Sequence, residues 1–319
     1  MAQDIIGVDI AKGWINAFHL STAKSERIVT TKQYLAKFAK AAKGCLVVVE
    51  VSGGYERPLT EALARAGVDC AGVDCARVDC AGVNPRQARE FARATGRLAR
   101  TDRVDAEILA RMGRALELKP TPPADPDRVR LADLVARRDD LVAMIGAEKN
   151  RAGTTRDPWL SREIAILIKA LRDHLASLEV RIADLIETRE ALASQSARLC
   201  SVPGIGPTLA AALLARLPEL GQLDHRRITS LAGLAPHACG AGLQRGKRRI
   251  WGGRADVRRA LCLAGFIASR FDPAIRTFRA RLEAAGKSAK LAITACANKL
   301  LTILNAMVRD GKDYLKMAA

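Results

Sequence analysis

Aromatic residues are scarce in this 319-residue chain: six Phe, three Trp and three Tyr, 4% in all. Stacking on bases is therefore a minor theme, and any nucleic acid is expected to be recognised by its backbone and shape. Acids are also few, with 34 Asp and Glu against 52 Lys and Arg, leaving a net charge of +18. Such a field concentrates polyanions, of which nucleic acid is the foremost. No apolar run approaches the ~20 residues of a membrane span, the N-terminus lacks a signal-peptide core, and no basic amphipathic segment stands apart. A membrane role is accordingly not expected. The four histidines are scattered and none of the eight cysteines forms a C-x₂-C pair, which argues against a zinc site. Several cysteines lie in apolar runs and read as buried thiols, so the chain reads as cytoplasmic and reduced.

The acids that are present fall in telling places. Asp9 ends the run Ile5-Ile6-Gly7-Val8, and Glu50 ends Leu46-Val47-Val48-Val49; both runs read as buried strands. An acid that closes a buried strand lies at the rim of a sheet, where α/β folds build their sites. Asp102 and Asp105, three apart on an expected helix, share one face. Carboxylates gathered in this way repel one another, and a divalent cation relieves that repulsion. Mg²⁺ takes hard oxygen ligands and keeps waters that a phosphate can displace. Taken singly, Glu50 reads equally well as a strand-end cap and Asp105 as a solvated helix residue. The set of four in a basic chain points to a metal site.

Three segments follow from the pattern. Residues 1–118 alternate strand and helix signals, with strands at 4–9, 14–20, 26–31 and 45–51 and a short one ending near Val83. Helices are expected near 55–66, 86–97 and 102–115. Three closely spaced strands followed by helix-separated ones predict a mixed sheet covered by helices. Within this segment AGVDC recurs at 66–70 and 71–75, then ARVDC and AGVNP follow. A five-residue period suits neither helix nor strand, so a bulged loop or hairpin extension without a catalytic role is expected. Residues 119–199 begin with a Pro-rich linker and continue as two long helices, 127–152 and 160–198. In the second, Ile164, Ile168, Leu171, Leu175, Leu178, Ile182 and Leu185 make a coiled-coil seam. It can pair with the first helix or with another chain. Residues 200–319 form a basic, helix-rich third segment. Its opening Val202-Pro203-Gly204-Ile205-Gly206 resembles a helix-hairpin-helix turn, in which Gly204 and Gly206 would bring backbone N–H groups to a phosphate.

Two basic stretches stand out. Arg86, Arg89, Arg93, Arg97 and Arg100 would line one face of a continuous helix, unless Gly96 interrupts it. A plain solvated face is the alternative reading. Arg245, Lys247, Arg248, Arg249, Arg254, Arg258 and Arg259 lie within fifteen residues, with Asp256 as the only acid. Gly246, Gly252 and Gly253 among them let a backbone come close to a ligand, and phosphate contact is expected.

Together these residues resemble the DEDD transposases of the insertion sequence 110 family, over nearly the whole chain. The likeness is carried by Gly7-Val8-Asp9, Val49-Glu50, Val83-Asn84-Pro85-Arg86-Gln87 and Thr101-Asp102-x-x-Asp105-Ala106. Further along it is carried by Pro203-Gly204-Ile205-Gly206, Leu231-Ala232-Gly233-Leu234-Ala235-Pro236 and Gly252-Gly253-Arg254-x-x-Val257-Arg258. The resemblance implies an α/β ribonuclease H-like (resolvase-like) N-terminal domain, a coiled-coil middle and a mainly α C-terminal transposase domain. It also implies Mg²⁺-dependent DNA cleavage and strand exchange, guided by an element-encoded RNA, in a homo-oligomer (dimer or tetramer). Asp9, Glu50, Asp102 and Asp105 would hold the metal. Members of the family typically carry a Ser-Gly pair after the Ala-Pro motif, whose serine attacks DNA. Here Ala241 stands in that place, and no Ser, Thr or Tyr occurs between Leu231 and Ala268. Alanine forms no phosphoester, and the thiol of Cys239 is a poor substitute. Strand transfer is therefore expected to be impaired. The alternatives are a junction-resolving nuclease that uses water, and a non-catalytic nucleic-acid-binding remnant.

Overall fold

The structure, a computed structural model, describes residues 4–50, 54–68, 79–83, 85–97, 101–120, 125–237 and 249–314. The chain divides into two compact units, Met1–Ala124 and Asp125–Ala319. The boundary falls at the end of the Pro-rich stretch that sequence marks as a linker.

Among the described residues the first unit is built on five strands: β1 (Asp4–Ile10), β2 (Trp14–His19), β3 (Lys24–Val29), β4 (Cys45–Glu50) and β5 (Asp79–Val83). Their order is β3-β2-β1-β4-β5. β1, β2 and β3 form an antiparallel meander, whereas β4 and β5 run parallel to β1. The parallel pairs need crossovers, which α1 (Lys32–Ala41) and α2 (Arg57–Val68) supply. Alternation along β1 divides the core in two. Ile6 and Val8 face α1 and α2 with Leu35, Phe38, Leu59 and Leu63. Ile5 faces the other way, with Leu46, Val48 and Phe18, against α3 (Pro85–Ala94) and α4 (Asp102–Ala115).

α4 lies unusually close to the sheet, and Gly7 is the reason. A Cβ at Gly7 would sit 2.0 Å from the carbonyl oxygen of Ala106 and 2.4 Å from the amide nitrogen of Ala110. No side chain fits there, so backbone meets backbone. Farther along, a Cβ at Gly113 would meet the Val48 side chain at 2.7 Å and that of Ile5 at 3.1 Å. The small residues Ala106, Ala110 and Gly113 thus form the helix face that seats on β1, bringing the first turn of α4 to the strand ends.

The second unit is helical. α5 (Pro126–Thr154) and α6 (Pro158–Glu187) pack along each other, joined by three residues and bridged by Arg138 and Glu179 at 2.9 Å. Of the two pairings open to the seam, the structure has the one within the chain. The single helix expected over 160–198 is broken at Thr188–Arg189, and α7 (Glu190–Cys200) follows. α8 (Pro207–Arg216), α9 (His225–Leu231), α10 (Ala255–Phe271), α11 (Pro273–Ala284) and α12 (Ala289–Asp310) complete the unit, with the two-residue strands β6 (Pro236–His237) and β7 (Arg249–Ile250). Leu131, Val135, Ile182 and Leu185 share one core with Leu199, Leu213, Leu261 and Leu300. α12 corrects the expectation that no stretch is long and apolar enough to span a membrane. By length and composition it is, yet Ala292, Cys296, Leu300, Leu301 and Leu304 are fully enclosed by the other helices.

Candidate active site

Asp9, next to last in β1, and Glu50, last in β4, stand on neighbouring parallel strands. Val8 pairs with Val49 in the register, so the two acids follow at the same level. On the other side Asp9 pairs with Asn16, and Asn16 with Arg27. Residues of one cross-strand row point to one face of a sheet, and here that face is the one α4 covers. Thr101 caps α4, accepting the backbone N–H of Val104 at 3.3 Å, and Asp102 and Asp105 occupy the first turn. The positive end of the helix favours both acids there.

Charge betrays the gathering. Burial raises the carboxyl of Asp9, and the charges of Asp105, Asp102 and Glu50 raise it further, to about 6. The four acids named from sequence are therefore within electrostatic reach of one point. That reach is longer than ligation, however, because a charge acts over many ångströms and a metal bond over ~2. Among the described residues no three His, Cys, Asp or Glu side chains are grouped so as to hold a metal ion. By kind the donors fit a hard divalent cation, since all four are carboxylates and His and Cys are absent from the set. Sequence reasoning did not find Trp14, Asn16 and Arg27, which contact Asp102. A polar Asn inside the apolar β2 was the available signal.

The basic residues divide into outward and structural ones. α3 ends at Ala94, and Gly96 takes φ +73°, so the five-arginine stripe is interrupted where Gly96 allowed. Ala88 and Phe91 turn inward, and Arg86, Arg89 and Arg93 are exposed. Arg97 lies past the break and pairs with Glu107 of α4 at 3.1 Å. Arg100 is outside the described residues.

In the second unit Arg254 grips Glu219 with both terminal nitrogens, at 2.6 and 2.7 Å, and donates to the carbonyl of Arg216 at 2.8 Å. Arg258 donates to the carbonyl of Gly252 at 2.7 Å, and Arg259 pairs with Asp256. Gly253 packs on Gly233, where a Cβ would come within 2.3 Å of the backbone nitrogen. The motif glycines here bind two turns to each other. Gly204 likewise faces α10, with the Ala264 carbonyl 3.0 Å from where its Cβ would be, whereas Gly206 caps α8 at the surface. Arg249 is exposed on β7. Cys239, Ala241, Arg245, Gly246, Lys247 and Arg248 are outside the described residues, in the segment bounded by β6 and β7. So are residues 69–78 of the pentapeptide repeat.

The sequence matches two family models. Residues 6–155 match one described as a DEDD transposase of the IS110 kind, and residues 196–280 one described as a transposase of the IS116/IS110/IS902 family. Among curated proteins, the pilin gene-inverting protein of Moraxella lacunata is 26% identical over 99% of each chain. That of Moraxella bovis is 27% identical, also over 99% of each. An uncharacterized 43.6 kDa protein of insertion element IS110 from Streptomyces coelicolor is 32% identical over 47% of this chain and 37% of its own. With both halves matched in order, and relatives aligned end to end, the chain belongs to the IS110 family of insertion-sequence transposases.

Proposed function

We propose that the chain cleaves DNA at a divalent-metal site made by Asp9, Glu50, Asp102 and Asp105, with Mg²⁺ as the ion. The carrying observation is the raised carboxyl of Asp9, lifted by burial and by the other three acids. The strand order β3-β2-β1-β4-β5, with only β2 reversed within the central three, supports a ribonuclease H-like reading of residues 1–118. The α5–α6 pairing supports a coiled-coil reading of 119–199, ahead of a C-terminal transposase domain at 200–319.

The bound cation would polarise the scissile phosphate and stabilise the leaving oxygen. The protein supplies the rest. Burial of Asp9 on the sheet face that α4 covers leaves its carboxyl poorly hydrated, which strengthens its pull on a cation. Arg86, Arg89 and Arg93 on the exposed face of α3, and Arg249 on β7, offer sequence-independent contacts to phosphates. Relatives named as pilin gene-inverting proteins support strand exchange as the outcome of cleavage. Guidance by an element-encoded RNA and assembly into a dimer or tetramer belong to the same proposal, on the strength of the family and the basic charge.

Ala241 limits this copy. A backbone bearing a methyl group cannot attack phosphorus, so covalent strand transfer is impaired. The lack of any Ser, Thr or Tyr from Leu231 to Ala268 favours a second reading, in which water is the attacking group. Incubation with Mg²⁺ and donor DNA carrying element ends distinguishes the two. Nicking without a protein–DNA adduct supports the water reading, and an adduct refutes it. Binding without cleavage, unchanged by Ala241→Ser, would leave only a nucleic-acid-binding role. Ala241→Ser is expected to restore adduct formation if the missing hydroxyl is the sole defect.

A further inference from the structure

Between β2, β3 and α4 lies a polar relay that the four carboxylates leave unexplained. Asn16 is only 7% exposed, in a strand whose neighbours Ile15 and Ala17 are fully buried. A buried amide must be satisfied, and its partners reveal its orientation. The Nε of Arg27, which can only donate, lies 3.1 Å from Oδ1 of Asn16. Nδ2 is thereby turned to donate to Oδ2 of Asp102, at 3.3 Å. A terminal nitrogen of Arg27 approaches the same Oδ2 at 3.7 Å, and the indole N–H of Trp14 reaches it at 3.5 Å. Arg27 in turn lies over the Trp14 ring, 5.1 Å from its centroid.

Three donors thus converge on one oxygen of Asp102 from the strands beside it. Asn16 also stands opposite Asp9 in the strand register, so the donors that hold Asp102 rise from the row that carries Asp9. A carboxylate with one oxygen held by the protein has the other available in a defined direction. That is how hydrogen-bonding partners behind a metal ligand orient it.

We infer that Asn16, backed by Arg27, is a positioning residue that holds Asp102 on the face of the sheet carrying Asp9 and Glu50. The inference rests on the reading of those acids as a divalent-metal site. Asn16 touches no reacting atom; it acts through Asp102 alone. Its removal frees the Asp102 side chain to swing toward solvent, and affinity for the ion falls without loss of a ligand.

Titration of the full chain with Mn²⁺ by calorimetry tests this, with thermal melting of every variant as the folding control. Asn16→Ala is expected to weaken Mn²⁺ binding about tenfold. In an Asp102→Ala background the same change is expected to do nothing further, which a merely structural role would not produce. Arg27→Met alters a largely exposed residue and is expected to give a smaller loss in the same direction with an unchanged melt. It carries the same comparison if Asn16→Ala does not fold. Wild-type affinity in both Asn16→Ala and Arg27→Met, or an equal loss with Asp102 already absent, overturns the inference and leaves the metal reading standing. Absence of Mn²⁺ binding by the unaltered chain overturns both.

Discussion

Asp9 and Glu219 are acids in similarly half-buried settings, one in each unit, with opposite fates. Burial and three neighbouring carboxylates raise Asp9 to about 6. Glu219 is pushed upward by burial too, but the hydrogen bonds and charge of Arg254 outweigh it and hold the carboxyl below its usual range. The helical unit gives Glu219 and Asp272 donors of their own. Asp272, 3% exposed, caps α11 through the Ile275 N–H at 2.9 Å and accepts the Tyr314 hydroxyl at 2.6 Å. The sheet unit instead collects acids near one end of β1, where the charges of three of them raise the fourth, Asp9. Strain of this kind works against stability, and its concentration at strand ends marks a place shaped for a ligand.

The largest effect should come from Gly7→Ala, which forces α4 off β1. Overpacking of backbone against backbone is expected to cost about 3 kcal/mol or more, read as a lower urea midpoint, and Mn²⁺ binding should fail in the same sample. A merely local loss would show that α4 is not what assembles the acids. Next is Arg254→Ala. It removes a bidentate pair from the second unit and should cost about 2 kcal/mol. The slope of DNA affinity against salt should stay unchanged, because Arg254 is engaged within the fold.

Asp9→Asn should do the opposite to stability. The native carboxyl of Asp9 holds its proton more tightly than the ~3.9 of an unfolded chain. Its penalty therefore grows as pH rises from about 4 to about 6 and is complete above that. With solvent screening allowed for, the variant should gain about 1 kcal/mol at pH 7 in EDTA, and the gain should vanish near pH 4. Glu219→Gln should show the reverse: destabilised at neutral pH, and equal to wild type once acid protonates the native carboxyl. If both variants shift in the same direction at pH 7, the contrast between the units is void. Smallest is Arg89→Ala, expected to leave stability within about 0.5 kcal/mol while lowering the salt slope of DNA binding by about one.

Much of the first unit is legible along the chain. The Val and Ile runs mark β1 and β4, and Thr101 with its two acids marks the start of α4 to the residue. α1 escaped notice, since Lys32–Ala41 is broken by Lys and Tyr and presents only Leu35, Phe38 and Ala39 inward. The break at Thr188–Arg189 also lay hidden, because apolar spacing continues on both sides of it. Arg97 and Arg254 show the limit of reading charge. Their partners, Glu107 and Glu219, stand ten and thirty-five residues away, and no local pattern announces such pairs.

By itself the sequence determined most of the elements and the family, and it singled out the four acids, because strand alternation, helix caps and motif order are local properties of the chain. Only the tertiary structure decided that Gly7 draws α4 against β1, that Asn16 and Arg27 stand behind Asp102, and that Arg254 serves the fold. Those outcomes depend on which distant backbones can approach. Contact distance is set by packing in three dimensions, which residue spacing along the chain does not record.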